Sequence, residues 1–191
     1  MVYDLAAYVL GAIWYVLPAY FANATPNAFG GGPPIDGGRL WKDGKPILGP
    51  GKTWRGFFVG VFFGTVIGIL QAILVETNDP FKAVFRAFVI SFGTLLGDSM
   101  GSFIKRRSGL KRGESYLFMD QLGFLIVGSV LVLLLFPLTI ENVTFVLFSV
   151  TITYSVVTIL LYLVLLLPAT FFVHILANFI WYKLGRQEVK I

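Results

Sequence analysis

The sequence predicts an all-α integral membrane protein with about five transmembrane helices. Two observations support this fold class. Of the 191 residues, 57% are hydrophobic and only 13% are charged, whereas a soluble domain is about 45–50% apolar and about 25% charged. The chain also contains several apolar runs of about 20 residues, the length that a helix needs to cross the hydrocarbon layer. The mean hydropathy of +0.81 agrees with both observations.

Five spans are predicted in chain order, and together they form one membrane-embedded domain over residues 1–191. A Gly- and Pro-rich loop follows the first span, and "ETNDPFK" separates the second from the third. The basic loop "KRRSGLKRGES" precedes the fourth span, and "PLTIENV" precedes the fifth. The predicted spans are 3–22, 54–75, 83–104, 116–136 and 144–182, with polar loops at about 23–53 and 105–115.

The last apolar run leaves two alternatives open. Proline removes a helical hydrogen bond and clashes with the preceding turn, so Pro168 predicts either one long bent helix or a sixth short span. Charge favours five spans, because thirteen of the 15 Lys and Arg residues then lie on one side, and only Lys82 and Arg86 on the other. Short loops rich in Lys and Arg stay in the cytoplasm. We therefore expect the N-terminus outside, and both polar loops and the C-terminus inside.

The stretch "LGPGKTWRG" at 48–56 is similar to a phosphate-binding loop but does not satisfy that motif. The motif requires a Gly five residues before Gly51, where this chain has Pro46. It also requires a parallel sheet, which is not expected between two membrane helices. The local chemistry still favours an anion, because Lys52 and Arg55 lie at a helix start, where unpaired N–H groups attract anions. The alternative is that both cations only follow the positive-inside rule.

Two carboxylates predict a metal site at one end of the spans. Asp98 lies inside the third span, where carboxylates are rare and usually functional. It shares a helix face with Ser102 and Lys105, because the three are spaced i, i+4, i+7. Asp120 begins the fourth span, so the hairpin of spans three and four can bring both carboxylates to the same depth. Such a pair suits Mg²⁺, which proteins bind through one or two carboxylates together with phosphates and water. The alternatives are an Asp–Lys pair at a helix end and a carboxylate favoured by the helix dipole.

Three further polar features are weaker candidates. Asp36, in "PPIDGGR", is either a site residue or a turn residue, since Asp-Gly is typical of turns. Asn23, near the exit of the first span, could hydrogen-bond a ligand or cap a turn. His174 and Asn178 share a helix face at i, i+4, but such a pair more often only packs.

The residues alone favour a reaction between a soluble nucleotide and a lipid. A basic surface lies over a cleft with two carboxylates, and this cleft opens both to the cytosol and to lipid. A transporter would instead scatter acids and bases along several spans. A membrane scaffold whose basic loops bind anionic headgroups gives no reason for two opposed carboxylates. The absence of cysteine excludes disulfides and thiolate metal sites.

Several motifs resemble those of the CDP-diacylglycerol synthases. "PGKTWRG" is similar to their Lys-Thr-Trp-Glu-Gly element, and "GDSMGSFIKRR", "KRGE" and "LFMDQLGF" are similar to a later motif with Gly-Asp, Ser, Lys-Arg and a second Asp in this order. Two differences are Asp-Gln at 120–121 in place of Asp-Arg, and Arg55 in place of Glu. With "PIDGGR" and "ILGPGKTWRG", these differences resemble the archaeal branch, the CDP-archaeol synthases. The resemblance covers nearly the whole chain.

This resemblance implies a Mg²⁺-dependent cytidylyltransferase in archaeal phospholipid biosynthesis. CTP and an unsaturated isoprenoid di-ether glycerol phosphate lipid would give a CDP-lipid and pyrophosphate. A CDP-diacylglycerol synthase, or a related CTP-dependent enzyme with another lipid tail, is the close alternative. The expected partners are CTP, the lipid and the membrane, with no nucleic acid, and the oligomeric state stays open.

The resemblance also assigns site residues. Asp98 and Asp120 would bind the metal and, with Lys52 and Lys105, carry catalysis. Lys52, Thr53, Lys105 and Arg106 would belong to the triphosphate site. The remaining residues expected near the nucleotide are Asn23, Asp36, Arg55, Ser102, Lys111 and Arg112.

Overall fold

The computed structural model describes residues 2–110, 119–136, 141–145 and 150–183. The elements are α1 (Val2–Phe29), α2 (Trp54–Leu74), β1 (Glu76–Thr77), α3 (Pro80–Arg107), α4 (Met119–Leu135), β2 (Glu141–Phe145), β3 (Val150–Tyr154) and α5 (Val156–Lys183). Within the described residues, α1, α2 and α3 are long and apolar enough to cross a membrane, while α4 and α5 contain shorter apolar stretches. The prediction of a five-helix integral membrane protein is confirmed.

The first helix continues past its predicted end at residue 22. Its last turns include Thr25, whose hydroxyl donates to the carbonyl of Phe21 at 2.9 Å. At the end of the helix, the N–H of Gly30 donates to the carbonyl of Pro26 at 2.9 Å. Polar residues and proline are tolerated in membrane helices when local groups satisfy the backbone. Asn23 therefore lies on a helix and not in a loop, one turn before Asn27 on the same face.

A row of glycines on α2 joins it to α1 and α3. The row is spaced every fourth residue and consists of Gly56, Gly60, Gly64 and Gly68. A Cβ added at Gly64 would lie 2.1 Å from the hydroxyl of Ser91 on α3 and 2.8 Å from the carbonyl oxygen of Pro18 on α1. Small residues at this spacing let helix backbones approach closely in membranes. The row therefore holds the first three helices together beside the polar loop, residues 30–53.

The third helix begins at Pro80, before its predicted start at 83, because Asp79 caps it. The Asp79 carboxylate accepts the N–H of Lys82 at 3.0 Å, and the proline occupies the first turn, where its missing N–H costs nothing.

The same helix ends at Arg107, beyond its predicted end at 104. The N–H of Leu110 donates to the carbonyl of Lys105 at 3.1 Å, and the N–H of Gly109 donates to the carbonyl of Arg106 at 3.2 Å. This Schellman pattern needs the left-handed backbone that Gly109 adopts, with φ of 81°. Lys105 and Arg106 therefore lie on the last helical turn, where cations favour the helix dipole, and not in the predicted loop.

Close glycine contacts set the register between α3 and α4. A Cβ added at Gly97 would lie 2.6 Å from the carbonyl oxygen of Gly123, and one at Gly93 would lie 2.7 Å from the Cα of Gly128. The two helices are therefore antiparallel. Continuing this register, the backbone of Asp120 falls opposite Gly101, about one helical turn from Asp98. The side chain of Asp120 lies outside the described residues.

The predicted fifth span is wrong in its first part, and the all-α prediction missed a small sheet. Strands β1, β2 and β3 form an antiparallel sheet in that order, with Glu76 opposite Thr144 and Phe145 opposite Val150. The segments "ENVTF" and "VTITY" are rich in β-branched and aromatic residues, which favour strands over helices. Apolar length alone therefore misassigned residues 144–145 and 150–154.

The last helix begins at Val156 and continues through Pro168 to Lys183 as one element. A single helix supports five spans over six within the described residues, and a bend at Pro168 stays a prediction. The side chains of His174 and Asn178 lie outside the described residues.

An aromatic cluster packs the sheet against α1 and α5. The rings of Tyr15, Tyr154 and Tyr162 have centroids 6.0–6.2 Å apart, and the guanidinium of Arg86 lies 4.1 Å from the Tyr154 ring centroid. Arg86 is about 28 Å along α3 from Lys105. This part of the core is thus separated from the polar end of α3.

Candidate active site

A cavity of about 220 Å³, called here the first cavity, lies between α1, α2, α3 and the polar loop. One wall is apolar. The polar groups come from α1, from α3 and from the end of the loop: Asn23, Asn27, Lys52, Thr53, Asp98, Ser99 and Lys105. Side chains separated by up to 82 positions in the sequence, Asn23 and Lys105, therefore line one space.

A second cavity of about 220 Å³ adjoins the first. The two share Asn27, Gly51, Lys52 and Lys105 in their linings, and the second adds Ser102 and Arg106. Together they are within the size range of small-molecule sites, about 300–1,000 Å³. The cations Lys52 and Lys105 line both cavities, which suits an anion with several charged groups.

An ion pair joins Lys52 to Asp98 in the wall of the first cavity. The ammonium of Lys52 donates to Oδ2 of Asp98. The two side chains are 26% and 34% exposed, so each keeps access to solvent and to a ligand. Within a membrane domain, this pair brings both signs of charge to one place.

The start of α2 is fixed by Thr53. Its side-chain oxygen accepts the N–H of Gly56 at 3.1 Å, which makes Thr53 the N-cap of the helix. Thr53 is buried and lines the first cavity. Arg55, two residues later, is exposed and lines neither cavity. Arg55 therefore lies outside both cavities, although Lys52 and Thr53 line the first.

Asp36 shapes the polar loop and lines neither cavity, in contrast to its predicted place in the nucleotide site. It is buried, and Oδ2 accepts the N–H groups of Leu48 and Gly49, each at 2.8 Å, while Oδ1 accepts that of Gly38 at 3.0 Å. Burial acts to raise the pKa of this carboxyl, but the hydrogen bonds from Gly49, Leu48 and Gly38 outweigh it and lower the pKa. Asp36 therefore holds the segment that presents Gly51 and Lys52.

Polar contacts fasten the loop to the end of α3. The Nε of Arg107 lies 3.1 Å from Oδ2 of Asp43, and Nη2 of Arg107 donates to the carbonyl of Pro46. The Nζ of Lys45 donates to the carbonyl of Arg107 at 3.1 Å. We call Asp43, Lys45 and Arg107 the loop clamp.

Aromatic packing supports the loop clamp. The ring of Trp41 packs edge-on against Phe103 of α3, with centroids 5.4 Å apart. The guanidinium of Arg107 lies 4.9 Å from the centroid of the same Phe103 ring. The loop clamp and this packing fix the loop end that carries Lys52 relative to the helix turn that carries Lys105 and Arg106.

Comparison with known proteins identifies the family. The family model described as CarS-like, CDP-archaeol synthase, matches residues 3–156. The chain belongs to the CDP-archaeol synthase family. It is 57% identical over 122 residues to a CDP-archaeol synthase of Thermococcus kodakarensis, covering 62% of this chain and 70% of that protein. It is 38% identical over 190 residues to one of Methanococcus aeolicus, covering 95% and 96%.

A solved structure has the same fold. It is described as an intramembrane enzyme for archaeal membrane lipids biosynthesis, and it is 31% identical to this chain with a TM-score of 0.69. The match covers 89% of this chain and 94% of that one. The resemblance to CDP-archaeol synthases and the multi-pass membrane architecture are both confirmed.

The predicted site residues of this family member divide into three groups. The first cavity brings together Asn23, Lys52, Thr53, Asp98 and Lys105, and the second adds Ser102 and Arg106. Asp36 and Arg55 lie outside both cavities. Lys111 and Arg112 lie outside the described residues.

Sequence reasoning missed several residues that line the first cavity, among them Phe57, Leu95 and Ser99. A signal for two of them was present, because Leu95, Ser99 and Ser102 are spaced i, i+4, i+7 and so share a helix face. Phe57 looks like any lipid-facing phenylalanine until α2 and α3 are placed side by side.

The donor set of the first cavity fits a hard cation. The carboxylate of Asp98 lies in one lining with the side-chain amides of Asn23 and Asn27, and oxygen atoms of these types are what Mg²⁺ prefers. Among the residues that the structure describes, no three His, Cys, Asp or Glu side chains lie close enough together to hold a metal ion. A cation here would therefore depend on one or two carboxylates together with a phosphate ligand.

Proposed function

We propose that this chain transfers CMP from CTP to a phosphorylated di-ether glycerol lipid, giving a CDP-lipid and pyrophosphate. One observation carries the proposal. The lining of the first cavity combines the cations Lys52 and Lys105 with the apolar side chains of Phe57 and Leu95. Such a boundary allows a soluble nucleotide and a membrane lipid to meet. Membership of the CDP-archaeol synthase family supports the same pair of substrates.

The reaction needs positioning and charge stabilisation, without a protein nucleophile. An oxygen of the lipid phosphate forms a bond to the α-phosphorus of CTP, and the bond from that phosphorus to the oxygen bridging the β-phosphate breaks. The electron pair leaves with pyrophosphate. Lys52, Lys105 and Arg106 would stabilise the negative charge of the triphosphate and of the leaving group.

Lys52 is suited to follow the phosphates. Its ammonium is bound to Asp98 through a flexible stem and is partly exposed, so it can exchange a carboxylate oxygen for a phosphate oxygen at little cost. Gly51 precedes it and lines both cavities. A glycine at this point lets the backbone approach a phosphate closely.

We also propose that Mg²⁺ takes part. Asp98 and Asp120 would hold it, as the family resemblance implies, with help from the amide oxygens of Asn23 or Asn27. When bound, the ion supplies charge neutralisation on the phosphates. The register of α3 and α4 supports this pairing, since it sets the two aspartates about one helical turn apart.

The site faces the cytoplasm in this proposal. The cations of the first and second cavities, Lys52, Lys105 and Arg106, lie at the same end of the bundle as the loop clamp. Lys82 and Arg86 lie near the start of α3, at the opposite end. Basic loops stay in the cytoplasm, where CTP is available.

The test offers purified protein each of the four nucleoside triphosphates with Mg²⁺ and a phosphorylated lipid, and follows pyrophosphate and lipid product. Of the four nucleotides, we expect only CTP to release pyrophosphate and to give a CDP-lipid of the expected mass. We also expect a strong preference for the di-ether lipid over a di-ester one. Equal use of the di-ester lipid would return the assignment to the wider CDP-diacylglycerol synthase group. No pyrophosphate from CTP with either lipid would overturn the proposal.

A further inference from the structure

One face of α3 leads from the first cavity along the membrane-facing surface. Its residues follow each other at spacings of three and four and therefore lie in line along the helix: Phe85, Phe88, Phe92, Leu95 and Ser99. Leu95 and Ser99 line the first cavity, whereas the three phenylalanines are 44%, 39% and 36% exposed. The face therefore passes from the cavity wall to the lipid-facing surface without interruption.

The phenylalanine rings form a continuous row. The Phe85 and Phe88 rings are stacked with centroids 6.1 Å apart, and the Phe88 and Phe92 rings are stacked at 6.2 Å. The edge of the row reaches α2, because the Phe57 ring contacts that of Phe92 at 5.5 Å. Phe57 itself lines the first cavity. We call Phe57, Phe92, Phe88 and Phe85 the aromatic row.

The length of the row suits a hydrocarbon chain. Phe85 lies about 15 Å along α3 from Leu95, which is about half the thickness of the hydrocarbon layer. Flat, polarisable ring faces make many dispersion contacts with a methyl-branched, unsaturated chain. A lipid whose phosphate lies beside Lys52 would extend its chains in this direction.

We propose that the aromatic row is the docking surface for the hydrocarbon chains of the phosphorylated lipid substrate. The inference rests on the proposed function and adds the residues that bind the lipid tail. Bulk lipid contacts exposed phenylalanines anywhere on the bundle, such as Phe172 of α5, which is 68% exposed. The aromatic row differs from Phe172 because it is continuous with the cavity that holds the cations for the phosphate.

The kinetic test compares Phe88→Ala/Phe92→Ala with the matched control Phe172→Ala. Each protein is given the long-chain lipid phosphate and a short-chain analogue whose chains end before Phe92. We expect the double variant to lose roughly tenfold in kcat/KM for the long-chain lipid, with an unchanged KM for CTP and unchanged use of the short analogue. The control should behave like the wild type. Equal losses on both lipids, or an equal loss in the control, would overturn the proposal.

A binding test works without turnover. A benzophenone side chain placed at position 88 or 172 is photo-crosslinked in vesicles that contain a radiolabelled phosphorylated di-ether lipid. We expect labelling at 88 that unlabelled lipid phosphate displaces, and weak labelling at 172 that it does not. If the protein makes no CDP-lipid but labelling at 88 is displaced, the proposed reaction fails and the docking surface stands. Labelling at 88 that is no stronger than at 172, or is not displaced, rejects the docking surface.

Discussion

Lys52 and Asp98 lie 46 positions apart in the sequence and form an ion pair in the wall of the first cavity. The pair joins the start of α2 to the polar end of α3. Since exposed and half-exposed ion pairs contribute only about 0–1 kcal/mol to stability, the fold does not depend on it. The pair instead concentrates a movable cation and a carboxylate where the proposed reaction needs both.

Replacing Lys52 should weaken the use of CTP. Lys52→Ala removes a charge-assisted contact to phosphate, of a kind that contributes about 1.5–3 kcal/mol, so we expect a KM for CTP roughly ten- to hundredfold higher. The KM for the lipid should change little. Steady-state kinetics with each substrate varied, beside a melting curve, measure this.

The matched control is Lys42→Ala. Lys42 is an exposed cation of the same polar loop that lines neither cavity, and its removal should leave CTP kinetics unchanged. A lower melting temperature in Lys52→Ala, with unaltered CTP dependence, would instead show that Lys52 only stabilises the fold and the orientation in the membrane.

Removing either predicted metal carboxylate should abolish turnover and leave the fold intact. We expect Asp98→Asn and Asp120→Asn to lose at least about a hundredfold in kcat, because asparagine keeps the size of the side chain but not its charge. The melting temperature of Asp98→Asn should fall only slightly, because the lost ion pair with Lys52 contributes no more than about 1 kcal/mol to stability. Manganese binding followed by electron paramagnetic resonance, with CTP present, should weaken in both. Near-normal Mg²⁺-dependent activity in either variant would show that its carboxylate is not required.

Much of this architecture follows from the sequence because membrane helices obey a simple length rule. Helices α2 and α4 begin and end within a few residues of their predicted limits. The pairing of spans three and four followed from their short connection, and the glycine contacts between α3 and α4 agree with it. The resemblance to the family implied one site for Lys52, Asp98 and Lys105, and the structure places all three in the lining of the first cavity.

What the sequence did not predict depends on long-range contacts. The turn alternative for Asp36 accounts for the bond from Gly38, but residue type and turn context say nothing about the distant N–H groups of Leu48 and Gly49 that it also accepts. Residues 144–145 and 150–154 satisfied the hydropathy rule for a helix, yet they form strands, because β2 pairs with both β1 and β3. The contact between Phe57 and Phe92 could not be predicted, because it depends on how α2 and α3 pack side by side.

The structural role of Asp36 should appear as a pH-dependent stability. Because the folded pKa of Asp36 is lowered, its contribution is fully present above the ordinary aspartate pKa of about 3.9. It is lost as the pH falls from there through the lower folded pKa. Asp36→Asn should reduce stability by about 1 kcal/mol at neutral pH. Melting curves between pH 7 and 3 should show the wild type approaching the variant only below about pH 4. A difference that stays constant over this range would contradict the role.

The orientation in the membrane can be tested against a clean background, since the chain has no cysteine. Single cysteines at Lys42 and Ser108 should react with an impermeant maleimide only from the cytoplasmic side, and one at Asn78 only from outside. Within the polar loop, Lys42 is a better position for a cysteine than the nearby Gly44, whose φ of 74° would strain any side chain. Gln187 lies outside the described residues, and a cysteine there should react from inside. Reaction from outside would overturn the five-span topology.

The loop clamp should act on CTP use through position alone. Asp43→Asn removes the charge opposite Arg107, whose Nε lies 3.1 Å from the carboxylate. The contact is partly exposed and contributes about 0–1 kcal/mol, so we expect a two- to fivefold rise in the KM for CTP with kcat nearly unchanged. The reason is that the loop end carrying Lys52 would then sample more positions relative to Lys105.

Asp43→Glu is the matched variant, because it restores the charge at nearly the same place. It should recover most of the CTP affinity, while the KM for the lipid stays constant in both variants. A purely structural effect would lower the melting temperature and raise both KM values together. If Asp43→Glu is as impaired as Asp43→Asn, or if lipid use is what changes, the loop clamp does not position the nucleotide site.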